Sequence, residues 1–285
     1  METDRVYVYR KHLHWMSWLV PAAMASMALM TFGLGLAAGG PVELLAVNSG
    51  IFAATAVVIR LFLVRFVAVR VRLDEDALVY NDHAGERRLR YEEIESLDFP
   101  SVRYAGGWVK IRPRAGDAIR LTVVVAGISE LVERLKGRVD SSGAVGVYDE
   151  DAMFGFLKTA GYSDASWERL YQYGARALVL VLAATPLGVV LGGALGLAAG
   201  ASGGAAVLAG VAGGVGTLLY VMSVYMLSEL TLASRLARGS DRDAFTLPRR
   251  DVAADDALVR TFLRWGVGLY PLAFVLAGAL SMFAR

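Results

Sequence analysis

Five stretches of this chain carry almost no charge, and each is long enough to cross a bilayer. That constraint outranks every other feature of the sequence. A span needs about 20 predominantly apolar residues to traverse some 30 Å of hydrocarbon. Met16 to Ala38, Leu44 to Val64, Ala177 to Ala199, Ala205 to Ser228 and Phe262 to Phe283 all qualify. Only Gly39-Gly40-Pro41-Val42-Glu43 separates the first two, and only Gly200-Ala201-Ser202-Gly203-Gly204 separates the third and fourth. Each pair therefore reads as a hairpin, with the fifth span alone. Arg60 lies inside the second span but near its end, where a long side chain snorkels to the interface.

Basic residues orient the spans. Of the 29 Lys and Arg, only Arg285 falls on the opposite side from the other 28 in this topology. The expected arrangement is a multi-pass cytoplasmic (inner) membrane protein with its N-terminus in the cytoplasm and its C-terminus outside. Trp15, Trp18 and Trp265 fall near the cytoplasmic boundaries, where indole rings favour the headgroup level. The first apolar run is too long for the core of a cleaved signal peptide and is followed at once by a second, so it reads as a retained anchor.

Chemistry-bearing residues are scarce. The chain has no cysteine and 3 histidines, His12, His14 and His83, which removes thiolate chemistry and leaves little for imidazole catalysis or metal binding. No nucleophile elbow, HExxH or phosphate loop occurs. The expectation is a protein that is not an enzyme and has no catalytic, cofactor-binding or metal-binding residues. No nucleic-acid partner is expected.

Residues 67–138 differ from their surroundings. Val71 and Leu73 alternate with Arg70 and Arg72, the period-two mark of a half-buried strand. Turns at Asp74-Glu75-Asp76, Asn81 to Gly85 and Ala115-Gly116-Asp117 separate further short strands, six or seven in all. Ile128, Leu131, Val132 and Leu135 then fall at i, i+3, i+4 and i+7, an amphipathic helix with Gly137 at its end. The fold class is thus mixed: five transmembrane helices plus a small cytoplasmic β-barrel, closed or partly closed, capped by a C-terminal helix.

The run Tyr91 to Phe99 (YEEIESLDF), the GGWVKI run at Gly106 to Ile111, the AIRLTVVV strand and the ISELVERL helix resemble the bacterial pleckstrin-homology-like domain. The resemblance covers some 70 of the 285 residues. It implies a single PH-like domain inserted between transmembrane hairpins, although similar membrane proteins often carry the domain in tandem. Members of the wider fold bind phosphoinositides through basic residues around the first strand pair. Here that turn is Asp74-Glu75-Asp76, which repels an anionic headgroup. Arg87, Arg88, Arg90, Trp108 and Arg112 form the candidate interaction surface.

A loop at Val139 to Asp149 leads into a helix opening at Glu150 and Asp151, which Gly161 is expected to end, with Ser163 and Asp164 starting another. In the second hairpin Gly188, Gly192, Gly196, Gly200 and Gly204 recur every fourth residue, and Ala206, Gly210 and Gly214 keep the spacing. Residues this small let helix backbones approach closely, the main source of helix association in lipid. Gly192, Gly196, Gly200, Gly210 and Gly214 are the expected packing residues. Glu229, at the cytoplasmic end of the fourth span where it can reach water, is the candidate functional acid.

The organisation read from sequence is therefore a leader (1–15), transmembrane hairpin 1 (16–66), the PH-like β domain (67–138), a helical linker (139–176), glycine-rich hairpin 2 (177–228), a cytoplasmic loop (229–261) and helix 5 (262–285). The expected function is a non-catalytic scaffold that docks a membrane or cytoplasmic protein at the bilayer. The alternative is an oligomeric channel or transporter, or a transporter accessory subunit, built from the glycine-rich spans. Homo-oligomerisation suits either reading.

Overall fold

A computed structural model describes residues 5–265, apart from 145, 249 and 263. It divides into two compact units, Met1–Asp164 and Ala165–Arg285. Among the described residues, four helices are long and apolar enough to cross a membrane: Lys11–Ala37, Val42–Val67, Val181–Ala198 within a longer helix, and Gly203–Gly239. The expected fifth span lies, from residue 266 onward, outside the described residues.

In chain order the first unit holds β1 (Val6–Val8), α1 (Lys11–Ala37), α2 (Val42–Val67), β2 (Arg70–Leu73), β3 (Ala77–Asp82), β4 (Gly85–Arg90), β5 (Ile94–Asp98), β6 (Ser101–Val102), β7 (Gly106–Pro113), β8 (Ile119–Thr122), α3 (Ile128–Ser141) and the start of α4 (Glu150–Ala198). The first sheet runs β1-β2-β3-β4, all antiparallel. Its edge strand comes from the segment read as a leader. Tyr7 is buried between exposed Val6 and Val8, and it sits opposite Val71, which in turn faces Tyr80. The apolar hairpin α1–α2 is thus inserted between two paired strands of the β domain. Three alternating residues beside a 27-residue helix are too short a run for periodicity to single out.

The second sheet is built on β7, which pairs with β5 along Lys110–Pro113, with β6 along Gly106–Gly107 and, on its opposite edge, with β8 along Trp108–Ile111. The two sheets share no ladder among the described residues. They meet at the isolated bridge between Tyr9 and Val125, supported by the Ala126 N–H donating to Val8 O at 2.9 Å. The closed barrel expected from sequence is therefore corrected to two antiparallel four-stranded sheets. The reason lies after β4, where a 3₁₀ turn at Tyr91–Glu93 carries the chain out of the first sheet before β5 begins. The Tyr91 hydroxyl holds that exit by donating to Asp74 O (2.9 Å) and Ala77 O (3.1 Å). Burial pushes this phenol up to about 12, so it remains a donor.

The core lies between the sheets and two helices. Ile128, Leu131, Val132 and Leu135 of α3 are fully buried, as are Met153, Phe156, Leu157 and Ala160 of α4. Gly161 does not end a helix. α4 continues unbroken for 49 residues, because burial of that four-residue face outweighs the cost of about 1 kcal/mol for one interior glycine. Ser163 and Asp164, which read as a helix start, serve other elements instead. Ser163 Oγ donates to Val123 O at 2.8 Å. Asp164 accepts the backbone N–H groups of Gly127 and Ser129, each at 3.0 Å, and the Ser129 hydroxyl at 2.6 Å. It caps α3, whose own N-cap is Gly127 at φ +72° with no side chain to offer.

Asp164 also pairs with Arg10, the residue joining β1 to α1, and the Arg10 side chain is only 4% exposed. One carboxylate thereby ties the entry to the apolar hairpin, the start of α3 and α4 together.

Both apolar hairpins turn in the same way. Gly39 at φ +75° donates to Leu36 O, while Gly40 donates to Gly35 O; Gly200 at φ +77° and Ala201 repeat this with Leu197 and Gly196. These are paired helix-end bonds of the Schellman type, which need a glycine in the left-handed region. Arg60 does not simply snorkel. Its Nη1 donates to Ser17 O (2.8 Å) and Ser17 Oγ (3.0 Å), and its guanidinium stacks 3.8 Å from the Trp18 ring.

Removing one partner of a buried pair costs about 3 kcal/mol or more, whereas an exposed pair is worth under about 1 kcal/mol. Asp164→Asn should therefore lower the chain's stability by about 3 kcal/mol in denaturant melts of the detergent-solubilised protein. Asp76→Asn, which removes the exposed Arg88–Asp76 pair, should leave the midpoint nearly unchanged.

Candidate interaction face and helix seam

The outward face of the second sheet is strongly basic. Along β7, Val109 and Ile111 point into the core while Trp108 and Arg112 are exposed and Lys110 is half-buried between them. On β8, Ile119 and Leu121 are buried and Arg120 is exposed. The register sets Lys110 directly opposite Arg120 and Trp108 opposite Thr122. Like charges facing each other across a ladder are destabilising. Neither Lys110 nor Arg120 has a carboxylate partner among the described residues. The one acid in this row, Asp98 on β5, faces Lys110 in the ladder but forms its ion pair with Arg112, at 3.0 Å.

Four residues beyond Arg120, Val124 O accepts the backbone N–H of Arg10, immediately before α1 begins. The basic face therefore lies within four residues of the base of the first hairpin.

The sequence-derived surface is split by the fold. Trp108 and Arg112 lie on this face, but Arg87, Arg88 and Arg90 are on β4, in the other sheet. Arg87 pairs with Asp82, and Arg88 pairs with Asp76 (2.6 Å) and Asp74 (3.8 Å). The acidic turn at Asp74–Asp76 is thus largely neutralised by its own neighbours, Arg72 included. Arg120 and Lys110 were missed by motif reading, because cross-strand opposition depends on register. The signal available in sequence was the alternation of basic and apolar residues in Lys110-Ile111-Arg112 and Ile119-Arg120-Leu121.

Glu229 does not reach water. In α5 (Gly203–Gly239) it is buried, its Oε1 lies 3.3 Å from Arg169 Nη1, and its Oε2 accepts the Ser166 hydroxyl at 2.9 Å. Its place at the span's edge follows the sequence, but its partner sits 60 residues away on α4 and could not be read from spacing.

The glycine seam lies between α4 and α5. A Cβ on Gly192 would fall 2.4 Å from Ala209 O, and one on Gly213 would fall 2.3 Å from Gly188 O. Gly196 faces Ala206 and Ala209, while Gly210 and Gly214 face Val189. Gly200 is not part of the seam; its positive φ makes it the turn residue that ends α4. Gly213 does belong, and was passed over because it lies off the four-residue spacing. No group of three or more potential metal ligands occurs among the described residues.

Comparison with known protein families, characterised proteins and solved structures finds no match to this chain. The pleckstrin-homology-like resemblance therefore rests on the sequence pattern alone.

Where a Cβ would meet backbone oxygen, a larger residue must force the helices apart. Gly192→Leu and Gly213→Leu should each lower the melting temperature in detergent by several degrees or more. Gly204→Leu, where a Cβ meets nothing within 4 Å, and Ala183→Leu, on an exposed position, should be tolerated.

Proposed function

We propose that this chain is a non-catalytic inner-membrane docking scaffold, whose cytoplasmic β domain presents the Trp108–Lys110–Arg112–Arg120 face to an acidic surface of a partner protein. The observation that carries this reading is the uncompensated Lys110–Arg120 pair beside an exposed tryptophan. A fold gains nothing from opposing two cations, but a binding face gains long-range attraction and an aromatic anchor. The distribution of Lys and Arg supports the cytoplasmic placement. Insertion of the hairpin between β1 and β2 supports a domain held close to the bilayer, so that the partner is recruited at the membrane surface.

Arg120→Glu separates binding from folding. It turns a like-charged cross-strand pair into an opposite one, so stability should rise by about 0.5 kcal/mol. Docking should weaken, and the remaining binding should lose part of its salt dependence. A photo-crosslinking residue at position 122, read by mass spectrometry in native membranes, should give one stoichiometric protein adduct that Arg120→Glu abolishes. An adduct to lipid alone, or none, would contradict the reading.

A further inference from the structure

The second unit contains a cavity of about 110 Å³ that neither the docking face nor the glycine seam uses. Its walls come from α4, α5 and the helix at 252–262, and include Leu170, Gly174, Val221, Val224 and Phe262. Two cations, Arg169 and Arg176, border it together with the Glu229 carboxylate that pairs with Arg169. Arg169 is 4% exposed in its side chain, and although Nη1 lies near Glu229, its buried Nε has no hydrogen-bond partner. Arg176 is exposed and has no hydrogen-bond or ion partner among the described residues.

Depth follows from helix rise. At 1.5 Å per residue, Arg176 lies about 33 Å along α4 from the turn after Ala198, and Val224 lies about 32 Å along α5 from Gly203. The hydrocarbon layer is about 30 Å thick. The cavity therefore begins where a phospholipid's chains meet its glycerol and phosphate, and continues to Arg169, some 44 Å from the turn. Apolar walls disfavour water and suit an acyl chain, and the unpartnered Arg176 beside them selects for negative charge.

We propose that this cavity seats one anionic phospholipid from the surrounding bilayer, with the upper part of an acyl chain between the three helices and the phosphate on Arg176. The free Nε of Arg169, about 11 Å farther from the hydrocarbon along α4, provides a donor for an oxygen of the polar headgroup. The chemistry is that of an amphiphile: apolar walls for the chain, one exposed guanidinium for the phosphate.

The full chain can test this after delipidation and reconstitution into nanodiscs of phosphatidylcholine alone or mixed with phosphatidylglycerol. The readouts are the melting temperature and the lipids retained on release, counted by native mass spectrometry. Phosphatidylglycerol should raise the melting temperature by several degrees and leave one retained molecule. Arg176→Gln should abolish the preference for phosphatidylglycerol. Gly174→Leu should fill the cavity and eliminate the retained lipid while the protein still folds, since a Cβ there meets only the end of the Leu170 side chain at 3.4 Å. Equal stabilisation by both lipids, or both variants retaining lipid like the unaltered chain, would overturn the proposal. Equal stabilisation by inorganic phosphate alone would also overturn it, by reducing the site to an anion site.

Discussion

Pairing of β1 with β2 is the constraint on which the first unit depends. The innermost pair, Val8 and Arg70, closes over the whole α1–α2 hairpin. For a flexible loop of that length, closure would cost roughly 4 kcal/mol, more than a three-residue ladder returns. The hairpin removes most of this cost, because two adjacent antiparallel helices already bring their ends together. The remainder is offset by burial of Tyr7 and Tyr9 and by the Arg10–Asp164 pair. The pairing also fixes a topological fact: the chain leaves the β domain at Lys11 and returns to it at Arg70, so both ends of the α1–α2 hairpin meet at the same side of that domain.

That arrangement gives the domain little freedom to move away from the base of the apolar hairpin. Tyr9 packs edge-on against Phe66 with ring centroids 5.3 Å apart, joining the end of β1 to the end of α2. Asp164 then locks the other side by capping α3 while neutralising Arg10. A sheet held this way can carry a destabilising cross-strand cation pair, since neighbouring elements supply the stability that Lys110 and Arg120 withhold. The proposed docking role is an account of why such a pair persists at an exposed position.

The apolar spans, the alternating strands and the α3 face were legible because each is a periodic pattern within one element. Ile128, Leu131, Val132 and Leu135 announce their burial by spacing alone. What stayed hidden depends on contacts distant in sequence. Val6–Val8 is too short to register as a strand until its partner is seen. Asp164 has the local signature of a helix start, yet caps a helix 37 residues earlier. Glu229 looked exposed because its partner Arg169 lies on another helix. The glycine seam was only partly visible: four-residue spacing located Gly192 and Gly196 but admitted Gly200, a turn residue, and left out Gly213.

The inserted hairpin is tested most directly by a disulfide across the β1–β2 ladder. The chain contains no cysteine, so Val8→Cys with Arg70→Cys introduces a single pair, at register partners exposed on the sheet. Mild oxidation in native membranes should join the two peptides rapidly and nearly completely, as detected by mass spectrometry, while Val8→Cys with Arg87→Cys on β4 should stay reduced. Failure of the 8–70 pair to form, or equal formation of the 8–87 pair, would contradict a domain built around the apolar hairpin.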